Sequence, residues 1–225
     1  MSVSLPPTTT RLLLVEGSDD EEFFNQLGIH LGVRDRFHIA EYTGKDNLDN
    51  SLLSTLADPV FPQITHIGIV RDADFLPGAF NSVQSALEYA NRNSPSPKRH
   101  YPTPGTHTTF FGERPQVAVL ILPAPDLSGM LEDVVLGALD NDPILPCVDD
   151  YVQCLQGNGI DPVQERLSKM KMRVFIEGKH LDKEMSTGND RKRTYLSDIY
   201  RMSWWTWDHP AFDTAKQFIH QLVSA

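Results

Sequence analysis

"RLLLVEGSDDEEFFNQLGIHLG", residues 11–32, decides the fold. Four apolar residues stop at Glu16-Gly17, acids follow, and then apolar residues return at helical spacing. The short apolar run ended by glycine predicts a buried strand over 11–15. The next segment, 19–32, carries Phe23, Phe24, Leu27 and Leu31 on one helical face. Its acidic start suits the positive end of a helix. The unit is therefore strand, tight turn, helix, with a carboxylate at the tip of the strand.

The same alternation recurs three times. "FHIAEY" (37–42), "ITHIGIVRDAD" (64–74) and "QVAVLILP" (116–123) read as strands. Helical segments follow them at 44–57, 77–92 and 128–139. Near-continuous apolar strands joined by helices predict an α/β fold with a mainly parallel four-stranded sheet flanked by helices. Residues 1–10, rich in Pro and Thr, read as a loose tail, and 11–145 as the α/β domain. Residues 146–225 read as a helical extension packed on the same domain. The Pro/Gly-rich stretch 93–115 has no period; loops of that length are usually functional or disordered.

The chain has 225 residues, and 40% of them are hydrophobic, enough for a sizeable core. Thirty acids against 20 bases give a formal net charge of −10. That balance argues against a generic duplex-coating protein, whose affinity comes from Lys and Arg on phosphates. It leaves open nucleic acid bound through a divalent cation, which supplies local positive charge. Cys147 and Cys154 form no CxxC pair, so a structural zinc site is not expected. They read as partly buried free thiols in a reducing cytoplasm. "MSVSLPPTTTR" has no apolar core of a signal peptide, and no apolar run reaches the roughly 20 residues of a membrane helix. A cytoplasmic protein without membrane partners is expected; a homo-oligomer is compatible with the reading.

In parallel α/β sheets the functional site lies beyond the carboxyl ends of the strands. At those ends stand Glu16 after the first strand and Asp72-Ala73-Asp74 after the third. Carboxylates gathered there repel unless a cation neutralises them, and Mg²⁺ suits few carboxylates plus phosphate oxygens.

"LLLVEG" followed by "IGIVRDAD" resembles the Toprim domain of topoisomerases, primases and several nucleases. Its signature is a Glu after strand one and Asp-x-Asp after strand three. The resemblance implies that Glu16 is a general acid/base or a metal ligand, with Asp72 and Asp74 as Mg²⁺ (or Mn²⁺) ligands. Asp20 matches a further acidic position four residues after the Glu. Glu132 in "GMLED" matches a Leu-Glu of the overcoming-lysogenisation-defect nucleases, with Asp133 the other candidate there. Lys45 and Arg71, on the same edge, are phosphate- or nucleic-acid-binding candidates. The pieces "VEGSDDEEFF", "GKDNL", "IGIVRDAD", "SGMLEDVVL", "CVDDYVQC" and "WDHPAFD" are similar to a Toprim-like family of unknown function from bacteria and archaea. The implied activity is metal-dependent phosphodiester chemistry on DNA or RNA, with a non-catalytic metal-, nucleotide- or nucleic-acid-binding module as the alternative.

Plainer readings stand beside these. Asp19 and Asp20 equally suit helix capping, and Asp72 and Asp74 suit a turn. Ser128 cannot close a capping box, because the third residue after it is Leu131. Lys169, Lys171 and Lys179 are candidates to line a substrate groove, but no sequence signal separates them. Trp204, Trp205 and Trp207 suit packing more than base stacking, and Arg191–Arg193 suit a solvated loop. A receiver-type phosphoacceptor fits less well, because Glu-Gly replaces its acid pair after strand one. A dehalogenase-type phosphatase would carry its Asp-x-Asp after the first strand.

Overall fold

A computed structural model describes residues 5–74, 78–162, 164–187, 196–202 and 204–224. Four strands form one parallel sheet: β1 (Arg11–Val15), β2 (His38–Glu41), β3 (His66–Asp72) and β4 (Gln116–Leu122). Their order across the sheet is β2-β1-β3-β4. Helices α1 (Ser18–His30), α2 (Leu48–Ala57) and α3 (Ala79–Arg92) make the crossovers, and α4 (Leu131–Gly137) follows β4. The sheet and its flanking helices are those the sequence predicts.

The strand order creates a switch point. From β1 the chain crosses through α1 to β2 on one side; β3 then pairs with β1 on its other side. Helix α1 packs into one core cluster, whereas α2 and α3 pack into the cluster on the opposite face. The crossovers thus diverge above the neighbouring ends of β1 and β3, which opens a crevice there.

The sheet residues alternate between two cores, as pleating requires. Leu13, Val15, Val70, Ala118 and Leu120 face one, and Leu12, Leu14, Ile67, Ile69 and Val119 face the other. The first core is completed by α5 (Leu145–Gly157), α6 (Gln164–Thr187), α7 (Leu196–Ile199) and α8 (Asp213–Val223). Val148, Phe175, Ile199 and Phe218 share that cluster with the strands, so the extension is part of the same core. Gly68 permits a close approach between sheet and helix: a Cβ there would stand 2.9 Å from both Leu13 and Phe218. Each large apolar side chain so buried contributes about 2 kcal/mol.

Several expectations change. Residues 5–10 are held rather than loose: Leu5 is 6% exposed in the second core, and the Thr9 N–H donates to the Pro6 carbonyl at 3.0 Å. The stretch 93–115 is structural. Asn91 and the Tyr101 backbone exchange two hydrogen bonds of 2.7 and 2.8 Å. The buried Tyr101 hydroxyl donates to the Leu52 carbonyl at 2.8 Å. His107 Nε2 accepts from the Ile121 N–H at 2.8 Å and so covers the β4 edge. Composition marked the loop but hid these local partners.

Cys147 and Cys154 are free but exposed, because α5 buries its Val148–Val152 stripe instead. The tryptophans pack on the core: Trp207 lies 5.4 Å from Phe23 and 5.2 Å from Phe212, and Trp204 lies 5.8 Å from Phe175. Arg191–Arg193 lie outside the described residues. Among the described residues no helix is long and apolar enough to cross a membrane.

A candidate acidic centre at the strand ends

Glu16 is the first residue after β1, and Asp72 ends β3 beside it. Two further connections bring in the loop before α4. Asp74 and Gly129 form an antiparallel bridge, with N–H to carbonyl distances of 2.9 and 2.8 Å. The Leu131 N–H donates to Asp72 Oδ1 at 3.0 Å. The start of α4 is thereby fastened to the end of β3, which delivers Glu132 to the crevice. Gly129 is required here: its φ is +143°, and a Cβ would stand 2.7 Å from Asp133 Oδ2.

Helices α1 and α4 start alike. The Gly17 N–H donates to Asp20 Oδ2 at 3.1 Å, and the Met130 N–H to Asp133 Oδ2 at 2.9 Å. Each aspartate stands three residues beyond the helix cap and satisfies one of its unpaired donors. This device replaces the Ser128 start at 128 and shortens α4 to Leu131–Gly137. Asp133 also accepts from Ser168 Oγ at 2.6 Å. It is therefore a capping residue, while Glu132, 4% exposed, points its charge into the cluster.

Electrostatics show that the acids share one site. The Asp72 carboxyl is pushed well above the usual range, first by burial, then by Asp20, Glu132 and Glu16. Asp20 is raised to about 7 by burial, with Glu16 and Glu132 adding to it. Glu16 is raised by burial and by Asp74, and restrained by Arg71, Lys169 and the Lys45 backbone N–H. Glu132 is raised by burial and restrained by Lys169. Burial disfavours the charged form, and like charges compound the effect.

Cations rim this cluster without neutralising it. Lys45 Nζ lies 3.5 Å from Asp74 Oδ2. Lys169 Nζ lies 3.9 Å from Glu132 Oε1. Glu16 Oε2 is buried and has no hydrogen-bond partner among the described residues. Thus all seven residues singled out from the sequence (Glu16, Asp20, Asp72, Asp74, Glu132, Lys45 and Arg71) belong to this rim.

Sequence reading missed two contributors, Tyr42 and Tyr200, and left a third, Lys169, undistinguished from its neighbours. Lys169 reaches in from α6, whereas Lys171 and Lys179 pair with Asp149 and Asp142 at 2.8 and 2.5 Å. Tyr42 follows β2 beside Glu16, Asp20 and Asp72 and was findable by the strand-end rule. The Tyr42 hydroxyl donates to the Val70 carbonyl at 2.8 Å. Its neighbour Glu41 is raised to about 7 by burial and by Glu21 and Asp19, not by the acids of the centre. Tyr200, beside α7, is buried with an unpartnered hydroxyl near Glu132, Asp19, Asp20 and Asp72. Only folding brings Tyr200 there.

Among the described residues, no three His, Cys, Asp or Glu side chains stand ready in a coordinating set. Asp20 and Asp72 each commit an oxygen to a backbone N–H. The donor chemistry nevertheless fits a hard divalent cation. The site is all carboxylate, is buried and self-repelling, and contains an orphaned Glu16 oxygen. Mg²⁺ and Mn²⁺ take such oxygen donors.

The fold and site together define a parallel α/β protein with a carboxylate centre at its topological switch point. The chain belongs to the family described as protein of unknown function DUF3226, whose profile matches residues 10–224. No curated protein and no solved structure matches it.

Proposed function

We propose that this chain is a Toprim-like protein that performs Mg²⁺- or Mn²⁺-dependent phosphodiester chemistry on nucleic acid. The carrying observation is the convergence of Glu16, Asp20, Asp72 and Glu132, with raised carboxyl pKa values, at the β1/β3 switch point. Asp72, Asp74, Asp20 and Glu132 are the residues that would hold the ion. The ion, when bound, would orient a phosphate and stabilise charge on the attacking and leaving oxygens.

The chain's own residues supply the rest. Lys45 and Arg71 bind substrate phosphate oxygens at the rim. Glu16, with its raised pKa and free Oε2, takes a proton from the attacking water as the new P–O bond forms. It returns that proton to the leaving oxygen as the old bond breaks. Lys169 offsets the charge that accumulates on Glu16 and Glu132.

A second reading is binding without turnover. The acidic balance of the chain, a formal net charge of −10, favours it. The discriminating experiment incubates the protein and its Glu16→Gln variant with Mg²⁺ or Mn²⁺ on plasmid, single-stranded DNA and RNA. The first reading expects cleavage by the parent and about a thousandfold loss in the variant. Equal cleavage by both removes Glu16 from the chemistry. Metal-dependent binding with no cleavage by either leaves the second reading.

A further inference from the structure

A cleft of about 450 Å³ adjoins the acidic centre on the α2/α3 face of the sheet. Arg71 and Lys45 stand in its wall and also border the carboxylates, so cleft and centre are continuous. Arg71 Nε is buried and has no hydrogen-bond partner among the described residues. The other wall is one stripe of α3: Ser82, Ser85, Tyr89 and Arg92, three or four residues apart. That spacing places them on a single helical face, opposite the buried Val83, Leu87 and Ala90. Tyr89 is 39% exposed, a large ring left open beside a polar cleft. Among the described residues Arg92 is held by an exposed contact to Glu88 at 3.8 Å, which is worth little.

We infer that this cleft binds single-stranded nucleic acid, with phosphates on Arg71, Lys45 and Arg92 and an unpaired base stacked on Tyr89. The inference rests on the phosphodiester reading and names its substrate class. Base pairs in a duplex have their faces covered by their neighbours, so only an unpaired base can offer one to the ring. Stacking of this kind tolerates any base. Asp46 and Asp49 lie on the same cleft and repel a second strand. The path is therefore narrow, with three cations on it.

The test is fluorescence anisotropy with short fluorescein-labelled DNA and RNA single strands and the matching duplex. EDTA is present, so that binding is read without cleavage. Either single strand is expected to bind at least tenfold tighter than duplex. Tyr89→Ala is expected to weaken it about tenfold and Tyr89→Phe to restore it. Arg92→Ala weakens it and lowers the slope of log affinity on log salt, which is about −2 for three phosphate contacts. Duplex preference, or a Tyr89→Ala variant that binds like the parent, overturns the inference. The two proposals fail separately. Binding lost on Tyr89→Ala with no cleavage under any metal retains the cleft and removes the hydrolysis. Cleavage that depends on Glu16 with binding indifferent to Tyr89 and Arg92 does the reverse.

Discussion

The two ends of the same four strands carry opposite charge and treat it differently. At the carboxyl ends, Glu16, Asp72 and the helix-borne Asp20 and Glu132 crowd together, and burial pushes their carboxyls upward. At the amino ends stand Arg11, Arg34, Arg36, His38 and His66. There burial, together with Arg34 beside His38 and Arg11 beside His66, pushes the imidazoles downward. The basic end also spends its donors on structure. Arg34 Nη1 donates to the Phe37 carbonyl at 3.0 Å, and Arg36 Nη2 to the Val223 carbonyl at 2.6 Å. The acidic end keeps an orphaned oxygen and repulsion the fold alone does not relieve. Charge that the backbone satisfies is holding the chain together; buried charge left in conflict marks a candidate functional site, and it is the conflict the proposed ion would relieve.

The sharpest way to break this contrast is a neutral isostere at the acidic end. Asp72→Asn keeps the oxygen that accepts from Leu131 and removes one repelling charge. Cleavage should fall about a thousandfold, while metal-free stability should rise by about 1–2 kcal/mol. Parallel loss of both, seen by denaturant unfolding, would make Asp72 a structural residue.

Next in size is Gly129→Ala. Its φ of +143° and the 2.7 Å approach to Asp133 leave no room for a methyl. A loss of about 2–3 kcal/mol is expected, and cleavage should fall too, because Glu132 moves with the loop. An unchanged melting temperature would show that the Asp74–Gly129 bridge is not what places α4.

Acidity gives a third test. The carboxyls at the strand ends have folded pKa values above their unfolded ones. For Asp20, raised to about 7, the contribution to stability is complete below about pH 4 and is lost as pH rises through about 7; the raised carboxyls beside it act in the same direction. Metal-free protein should melt lower at pH 8 than at pH 5, with Mg²⁺ recovering the difference and Asp72→Asn reducing it. A flat or rising profile in calorimetry would contradict the repulsion.

The smallest effect belongs to the basic end. Arg36→Ala loses the contact to Val223 and should cost about 1–2 kcal/mol, with cleavage per folded molecule unchanged. A selective loss of cleavage would remove the distinction between the two ends.

Much of this was legible because parallel sheets declare themselves locally. β1 at 11–15 and β4 at 116–122 follow from apolar runs and their stops. The rule that sites lie at carboxyl ends then picked out Glu16, Asp72 and Asp74. What escaped depends on distance along the chain. Lys169 and Tyr200 reach the centre through α6 and α7, and no local pattern distinguishes Lys169 from Lys171. The start of α4 escaped because Asp133 caps through its own side chain and Gly129 pairs with Asp74, 55 residues away.

The central claim is that the crowded carboxylates wait for a divalent cation. Crystals grown with Mn²⁺ test it through anomalous density. The account predicts a peak in the crevice with Asp72 and a further acid among Asp20, Asp74 and Glu132 as ligands, absent in Asp72→Asn. Mn²⁺ bound elsewhere, with that crevice empty and its carboxylates unmoved, would contradict it.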